Sequence, residues 1–519
     1  MNQRIILINA PSLGTIEHMY DEPDFVRLSL AALAAYIRLQ GNYDILLIDA
    51  KFEGLTFDTV LNRAKDFNPD LVGFTAFTNE IKPCAYLAAR IKNSIPNCKT
   101  LVGGAHFTAL PITTMKQFPM FDYGVFGEGE ITFHELLNAL KYKLKLEEIK
   151  GLVYRDIDGV IKKNPPRERV LDLDELPIPA WDLYPRANTY WIQTMRGCPF
   201  DCVFCMNHNG RVSRKNSVDR VMRELEYIVN TFSPEWIRPG DELFTVDKGR
   251  TSMLMDKMIE NGIHKRFKWD VQTHVRYVDY ALLVKMKQAG VTQIDMGVES
   301  GNDEILKAMG KGTRLNYISK AFEEARNAGV RTGSLLILGQ PDETKETIEN
   351  TLLFAAAINA DEPMFSIMIP FPGTKVAKLA SKGLSGYRLL TYDWDMYRQR
   401  LGGVMTFAGL SPKQIDRLLF LSYLRVMFMR KRYIDIIKLT VKYWKSAKTL
   451  LYKNLKFSNP EILLTYPKDY KQTLGDCDTL VEASLLVEET DAFSNYQKEE
   501  LQRVKTILPK LLREQKMAQ

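Results

Sequence analysis

The stretch Arg196-Gly-Cys-Pro-Phe-Asp-Cys-Val-Phe-Cys205 carries three of the chain's six cysteines within eight residues. Cys198, Cys202 and Cys205 are spaced C-x3-C-x2-C. Three thiolates this close can surround one metal centre. Structural zinc sites use four closed ligands, usually as paired C-x2-C motifs, and no second pair follows here. A cubic iron-sulfur cluster held by three thiolates leaves one iron open to a non-protein ligand. An open iron is what a cluster needs if it is to bind and cleave a substrate rather than only pass electrons.

Working outward, the chain has 519 residues, 45% of them hydrophobic and 26% charged, the balance of an ordinary globular protein of several domains. The start, Met1-Asn-Gln-Arg-Ile-Ile-Leu-Ile-Asn-Ala10, fits a first strand ended by Pro11 and not a signal peptide. No uninterrupted apolar stretch is long enough to span a bilayer. A reducing cytoplasm is therefore the expected location, and disulfides are not expected. The net charge of +7 arises from a Lys-rich C-terminal region and is not read as a nucleic-acid footprint.

On the N-terminal side, residues 1–140 alternate strands and helices. Strands are expected at Arg4–Asn9, Tyr43–Ile48, Asp70–Thr75, Lys99–Gly104 and Tyr123–Phe126, with helices between them. This rhythm implies a parallel, doubly wound, Rossmann-like sheet, whose ligands bind at the carboxyl ends of the strands. The loops at those ends hold the unusual residues: Ser12, Asp49 to Gly54, Thr75, Gly103-Gly104 and Gly127-Glu128. Two adjacent glycines let the backbone approach a large flat ligand. Cys84, Cys98 and Cys477 lack metal spacing and read as packing residues.

Residues 141–190 form a linker with a short hairpin around Asp158-Gly159, then a proline-rich crossing segment to Pro185. Six strand-helix units follow over residues 191–385. Their strands are expected at Trp191–Met195, Glu242–Val246, Phe267–Gln272, Gln293–Val298, Thr332–Leu338 and Met364–Ile369. Six such units make a partial (β/α)6 barrel, with its chemistry at the carboxyl ends of the strands. The cysteine stretch follows the first strand, as that rule requires.

The cysteine spacing closely resembles the hallmark of radical S-adenosylmethionine (radical SAM) enzymes, and the later strand ends match that family's pattern in order. By that resemblance Cys198, Cys202 and Cys205 hold a 4Fe-4S cluster and are the catalytic residues. Phe244-Thr-Val-Asp247 resembles the segment meeting the SAM amino group, marking Phe244 and Asp247. Gly297-Val-Glu-Ser-Gly301 resembles the segment meeting the ribose and methionyl carboxylate, marking Glu299 and Ser300. Gly339 and Pro370 mark the segments that meet adenine. Residues 1–140 resemble the cobalamin-binding domain found ahead of many such cores. Ser12, Asp49, Lys51, Gly54, Thr75, Gly103, Gly104, Gly127 and Glu128 are the positions this assigns to cobalamin. One departure stands out. The cobalt-ligating signature D-x-H-x-x-G reads Asp49-Ala-Lys-Phe-Glu-Gly54, with Lys51 in place of the histidine. A protonated lysine cannot coordinate cobalt.

The resemblance implies that SAM is cleaved at the cluster and a hydrogen atom is taken from an unactivated carbon, to which cobalamin then hands a methyl group. An oxidative cyclase or rearrangement enzyme without methyl transfer uses the same parts. A non-catalytic cluster or cobalamin sensor is the reading from another class. A small-molecule substrate and a reductant such as flavodoxin or ferredoxin are the implied partners, and no nucleic acid. Residues 386–519 read as mainly helical, with Leu418 to Leu455 strongly helical and charged helix over 480–519. Phe420, Tyr423, Leu424, Met427 and Phe428 form an apolar face followed by Arg430-Lys-Arg432. Packing against the barrel is the favoured reading of that face; peripheral membrane contact is the alternative.

Overall fold

The computed structural model describes residues 2–15, 25–398, 403–442 and 464–517. Its first sheet has seven strands in the order Tyr43–Asp49, Gln3–Asn9, Leu71–Thr75, Lys99–Gly103, Tyr123–Val125, Leu152–Arg155 and Ile161–Lys163. The first five run parallel, as the alternation of strands and helices implies. The hairpin expected in the linker adds the last two strands through antiparallel pairing. The chain direction across the sheet reverses between Gln3–Asn9 and Leu71–Thr75, and a crevice opens at such a switch point.

Leu28–Gln40 covers one face of this sheet. Ala31, Ala34 and Ala35 are buried there, and small side chains let the helix lie close. The carbonyl of Ala31 accepts a hydrogen bond from Ala180 N at 3.0 Å, which draws the crossing segment onto the same helix. Trp181, fully buried, then packs edge-on against Tyr190 of the next domain at 5.5 Å. One apolar core thereby runs from the first sheet into the second domain.

The second domain has six parallel strands: Thr189–Ile192, Trp236–Pro239, Trp269–Thr273, Val291–Glu299, Arg331–Leu338 and Glu362–Ile367. A bridge between Trp236 and Lys268 joins the first pair to the other four. The partial barrel is thus present, with one expected strand misplaced. Glu242–Val246 is not a strand; the second strand is Trp236–Pro239. It stops at Pro239-Gly240, and the following Asp241 is pulled over the end of the first strand. Its carboxylate accepts from Thr194 N at 2.7 Å and Met195 N at 3.1 Å. Helix starts carry the side-chain caps that their sequences offer, for example Ser217 accepting from Arg220 N and Thr374 from Ala377 N.

The C-terminal region is helical, and the described part of the stretch from Leu418 is two helices. Pro412–Met429 ends at a turn in which Lys431 has a φ of +56°, and Tyr433–Lys442 starts anew. The rest of that stretch, residues 443–455, lies outside the described residues. The final helix runs from Ala483 to Met517. No helix among the described residues is long and apolar enough to cross a membrane.

Candidate active site

The cysteine loop begins where the first barrel strand ends. Gly197 has a φ of +94°, and a Cβ there would lie 2.2 Å from the Val212 carbonyl oxygen, so only glycine fits the turn. The loop is pinned from several sides. Cys198 N donates to Gly210 O at 3.0 Å, Val203 N to Met309 O at 3.0 Å, and Val376 N to Val203 O at 3.1 Å. The Asn207 amide donates to Cys198 O at 2.6 Å. The fourth and sixth barrel units therefore position the loop that the first unit carries.

The three thiols are free, and none pairs with another in a disulfide. Burial pushes Cys198 up to about 11 and Cys202 up to about 12. Cys205 faces open space in front of the loop but is enclosed enough that burial raises it too. The sulfur contacts of the trio are to backbone: Cys202 Sγ lies 3.9 Å from Gly310 O, and the N–H groups of Phe200 and Asn207 face Cys198 and Cys205. Three thiols with only backbone partners suit a cationic cluster, which would supply the countercharge that their thiolates need. Among the described residues no three His, Cys, Asp or Glu side chains are drawn together as a single metal ion requires. Thiolates on three corners of a cubane each bind a different iron, so a cubane does not ask for that closeness.

At the later strand ends the expected SAM residues divide. Glu299 has a φ of +62° and is buried, and its Oε1 accepts from the Lys311 ammonium at 2.6 Å. Burial opposes the charge on Lys311, but Glu299 holds its pKa above the ordinary value. This strained, paired carboxylate beside the cysteine loop has the character of a functional position. Asp247 caps the helix Lys248–Glu260 and pairs with Lys215 at 2.7 Å. Gly339 has a φ of +99°, with Phe407 where a Cβ would go. Pro370 lines a narrow crevice with Leu110 and Tyr397. Two side chains point elsewhere. Phe244 is core, edge-on to Trp269 at 5.4 Å, and Ser300 is fully buried with its hydroxyl 3.3 Å from that of Thr351. Only their backbone groups are left for a ligand.

A cavity of about 540 Å³ lies between the two domains. That is within the range of small-molecule sites. On the first-domain side it is lined by Thr75, Gly103, Gly104, Gly127 and Glu128, all expected ligand positions. It extends inward past Leu7, Gly73 and Leu101 to Leu30 and Phe133, a slot between the sheet and its helices. Gly127, at φ +80°, has nothing within 4 Å of where its Cβ would stand. On the barrel side Gln193, Arg196, His208 and Asn209, which flank the cysteine loop, form the wall. His208 faces the cavity but is enclosed by protein, and burial keeps its pKa below the ordinary value.

Of the expected positions, Ser12, Asp49, Lys51 and Gly54 do not line this cavity. Asp49 is buried and bound to its own neighbourhood, accepting from Asn9 Nδ2 and Arg27 N, each at 2.7 Å. Lys51 pairs with Glu80, which also pairs with Arg27 at 2.7 Å. The cavity wall here is Arg27 and Phe77, the guanidinium lying over the ring at 4.8 Å. His106 is buried away from the cavity, 3.3 Å from the Thr78 hydroxyl and edge-on to Trp394. Burial takes its pKa down to about 3.

Burial disfavours the Glu80 carboxylate, but Arg27 and Lys51 outweigh it and hold the pKa down at about 2, from 4.5. Glu80→Gln strands two enclosed cations, and the expected cost is about 3 kcal/mol of stability in urea unfolding of the full chain. A depressed folded pKa stabilises above the unfolded value and is lost as pH falls through the folded one. The gap between wild type and Glu80→Gln should therefore close as pH drops from 4.5 towards 2.

In and behind the cavity wall, three arginines meet three glutamates from distant parts of the chain. Arg214 pairs with Glu128 at 2.6 Å, Arg196 with Glu130 at 2.6 Å, and Arg169 with Glu500 at 2.5 Å. Burial raises the Glu128 pKa, but Arg214 and Arg196 reverse that and bring it to about 2. Glu500 belongs to the final helix, which straps the assembly. Glu489 of the same helix accepts from Ile112 N at 2.7 Å in the first domain, and Asp491 binds Lys378 at 2.6 Å on the barrel. Gln497 Nε2 donates to Met206 O at 3.2 Å and Asn207 O at 2.7 Å, the two residues after Cys205. None of these partners is evident from sequence spacing. Gln497→Leu leaves both carbonyls without this donor and loosens the loop; at roughly 1–3 kcal/mol, cluster loss under mild chelation should speed up by about tenfold. Decay of iron-sulfur absorbance measures it.

Residues 192–355 match the radical SAM superfamily, and residues 21–137 match the B12 binding domain. An uncharacterized methyltransferase of Pyrococcus horikoshii is 33% identical over 431 residues, covering 81% of this chain and 92% of that protein. The anaerobic magnesium-protoporphyrin IX monomethyl ester cyclase of Rubrivivax gelatinosus is 27% identical over 424 residues, 78% of this chain and 74% of that one. Among solved structures, the radical S-adenosylmethionine methyltransferase TsrM from Kitasatospora setae, with cobalamin and a [4Fe-4S] cluster bound, superposes with a TM-score of 0.66. It shares 18% identity and covers 83% of this chain and 89% of its own, a likeness of fold. With the cysteine loop, the barrel and the glycine-lined first domain in these places, the chain belongs to the radical SAM superfamily, in the branch that carries a B12-binding domain ahead of the radical SAM barrel.

Proposed function

We propose that the protein is a cobalamin-dependent radical SAM enzyme that cleaves SAM at a 4Fe-4S cluster and transfers a methyl group to an unactivated carbon of a small molecule. The observation that carries this is the shared cavity. One wall is glycine-bearing strand ends of the B12-binding domain, and the other is formed by residues flanking the cysteine loop. When bound, the cluster supplies the electron that breaks the carbon-sulfur bond of SAM, and cobalamin supplies a methyl carrier.

The chain's part is positioning and exclusion of water. Cys198, Cys202 and Cys205 would hold the cluster. Asp247, Glu299, Gly339 and Pro370 stand at the strand ends assigned to SAM, together with backbone at Phe244 and Ser300. Thr75, Gly103, Gly104, Gly127 and Glu128 would hold cobalamin. Lys51 is tied to Glu80, so no histidine or lysine from the Asp49–Gly54 loop is offered as a cobalt ligand. The balanced arginine-glutamate set keeps Glu128 charged and in place at the cavity wall. A one-electron reductant such as flavodoxin or ferredoxin, and a cytoplasmic setting, complete the reading.

The methyltransferase name of the Pyrococcus relative favours methyl transfer; the cyclase name of the Rubrivivax relative supports the second reading, oxidative cyclisation with the same parts. Incubating the reconstituted protein with methyl-deuterated SAM, reductant and a metabolite extract separates them. A product bearing the labelled methyl group supports the proposal. 5′-Deoxyadenosine with an unlabelled product that has lost two hydrogens supports cyclisation.

A further inference from the structure

The helix Pro412–Met429 covers the edge strand Glu362–Ile367 of the barrel. Tyr423 accepts from Phe365 N at 3.0 Å, and their rings meet edge-on at 5.2 Å. Past its end, Arg430 and Arg432 donate to the carbonyls of Ala360 and Asp361. The helix packs through Ile415, Leu419, Tyr423 and Val426; of the expected apolar face only Tyr423 joins that packing, while Phe420, Leu424 and Met427 stay half-buried and Phe428 is 64% exposed.

The next helix, Tyr433–Lys442, is more open still. Tyr433, Ile434, Ile437 and Val441 are 52%, 70%, 62% and 69% exposed. At about 100° per residue these four positions fall within an arc of about 100°, one continuous apolar stripe. Lys438 and, in the turn before the helix, Lys431, both exposed, lie along one edge of it. Over residues 412–442 the sequence has eight Lys and Arg against two Asp. Isolated exposed apolar residues need no explanation, but a row of large ones with a cationic rim does.

We propose that this stripe docks the enzyme on an anionic lipid surface. The apolar side chains would enter the boundary between headgroups and acyl chains while the lysines meet headgroup phosphates. Charge complementarity selects the occupant: the rim is cationic, and it is lysine, which snorkels at membrane interfaces but is depleted at protein interfaces. The mode is peripheral, since no described helix is apolar and long enough to span. It concerns where the enzyme works and is independent of the reaction assigned above.

The test uses the full chain, purified anaerobically, in co-sedimentation with vesicles of phosphatidylcholine alone or mixed with phosphatidylglycerol. Binding to the mixed vesicles is expected to exceed binding to the neutral ones by about tenfold, and to fall as salt rises. The double variant Ile434→Glu/Ile437→Glu should lose about tenfold or more, since it removes two apolar anchors and reverses local charge. Lys431→Glu/Lys438→Glu should lose the preference for phosphatidylglycerol, and it provides a second reading if the first variant folds poorly. No binding, equal binding to both vesicle types, or unchanged binding by both variants overturns the proposal. Sedimentation velocity without vesicles is the last arm. A wild-type dimer that both variants convert to monomer would make the stripe a contact between copies and overturn it too.

Discussion

Cys198→Ala is expected to abolish reductive cleavage of SAM. The formation of 5′-deoxyadenosine by anaerobically reconstituted protein should fall by roughly 10³-fold or more, equivalent to about 4 kcal/mol of lost transition-state stabilisation. The same holds for Cys202→Ala and Cys205→Ala, because the loop offers three thiols and no described neighbouring side chain of the ligating kind converges to replace one. The variants should also lack iron-sulfur absorption while unfolding in urea much as the wild type does. The loop is tied down by backbone bonds such as Cys198 N to Gly210 O and Val203 N to Met309 O, which survive removal of a thiol. Retained 5′-deoxyadenosine formation in Cys198→Ala would remove the assignment of the cluster to this loop.

Gly104→Ala should cost the protein its cobalamin while leaving the iron-sulfur absorption in place. The residue sits at φ +95°, and its Cβ would lie 2.7 Å from Ala76 O and 2.8 Å from Ala76 N. Backbone on both sides must then move, in the wall that would hold the ligand. A disfavoured φ alone costs about 1–2 kcal/mol, and the clash adds to it. Cobalamin retention after gel filtration is expected to fall by more than about tenfold. Gly127→Ala is the informative partner. Nothing lies within 4 Å of its Cβ position, so the methyl group would protrude into the cavity and meet only the ligand. It should weaken cobalamin binding with a smaller loss of stability than Gly104→Ala. Equal cobalamin loading in wild type and both variants would place the cofactor elsewhere.

Much of the site was legible in the sequence, and what was legible was local. A C-x3-C-x2-C loop is a property of eight consecutive residues, and Gly104 and Gly127 stand at positive φ, where glycine is favoured. Side-chain direction was not legible. Phe244 and Ser300 lie in segments expected to meet SAM, yet both side chains are buried. Glu242–Val246 reads as a strand from its apolar content, but Pro239 and the Asp241 carboxylate turn the chain there. The split of the helix begun at Pro412 follows from Arg430 and Arg432 reaching back to the barrel, contacts some 70 residues apart in sequence.

Local chemistry alone determined the strand-helix order, the three-thiol loop and the departure at Lys51, because short-range periodicity, spacing and glycine conformations are written in neighbouring residues. Only the tertiary structure decided what Lys51 does instead of ligating, which is to share Glu80 with Arg27. Only it decided that the two domains enclose one cavity, and that Gln497 holds the loop of Cys205 from 290 positions away along the chain. Those outcomes depend on which distant groups must be paired once both domains bury them, and a buried charge or carbonyl finds its partner in space.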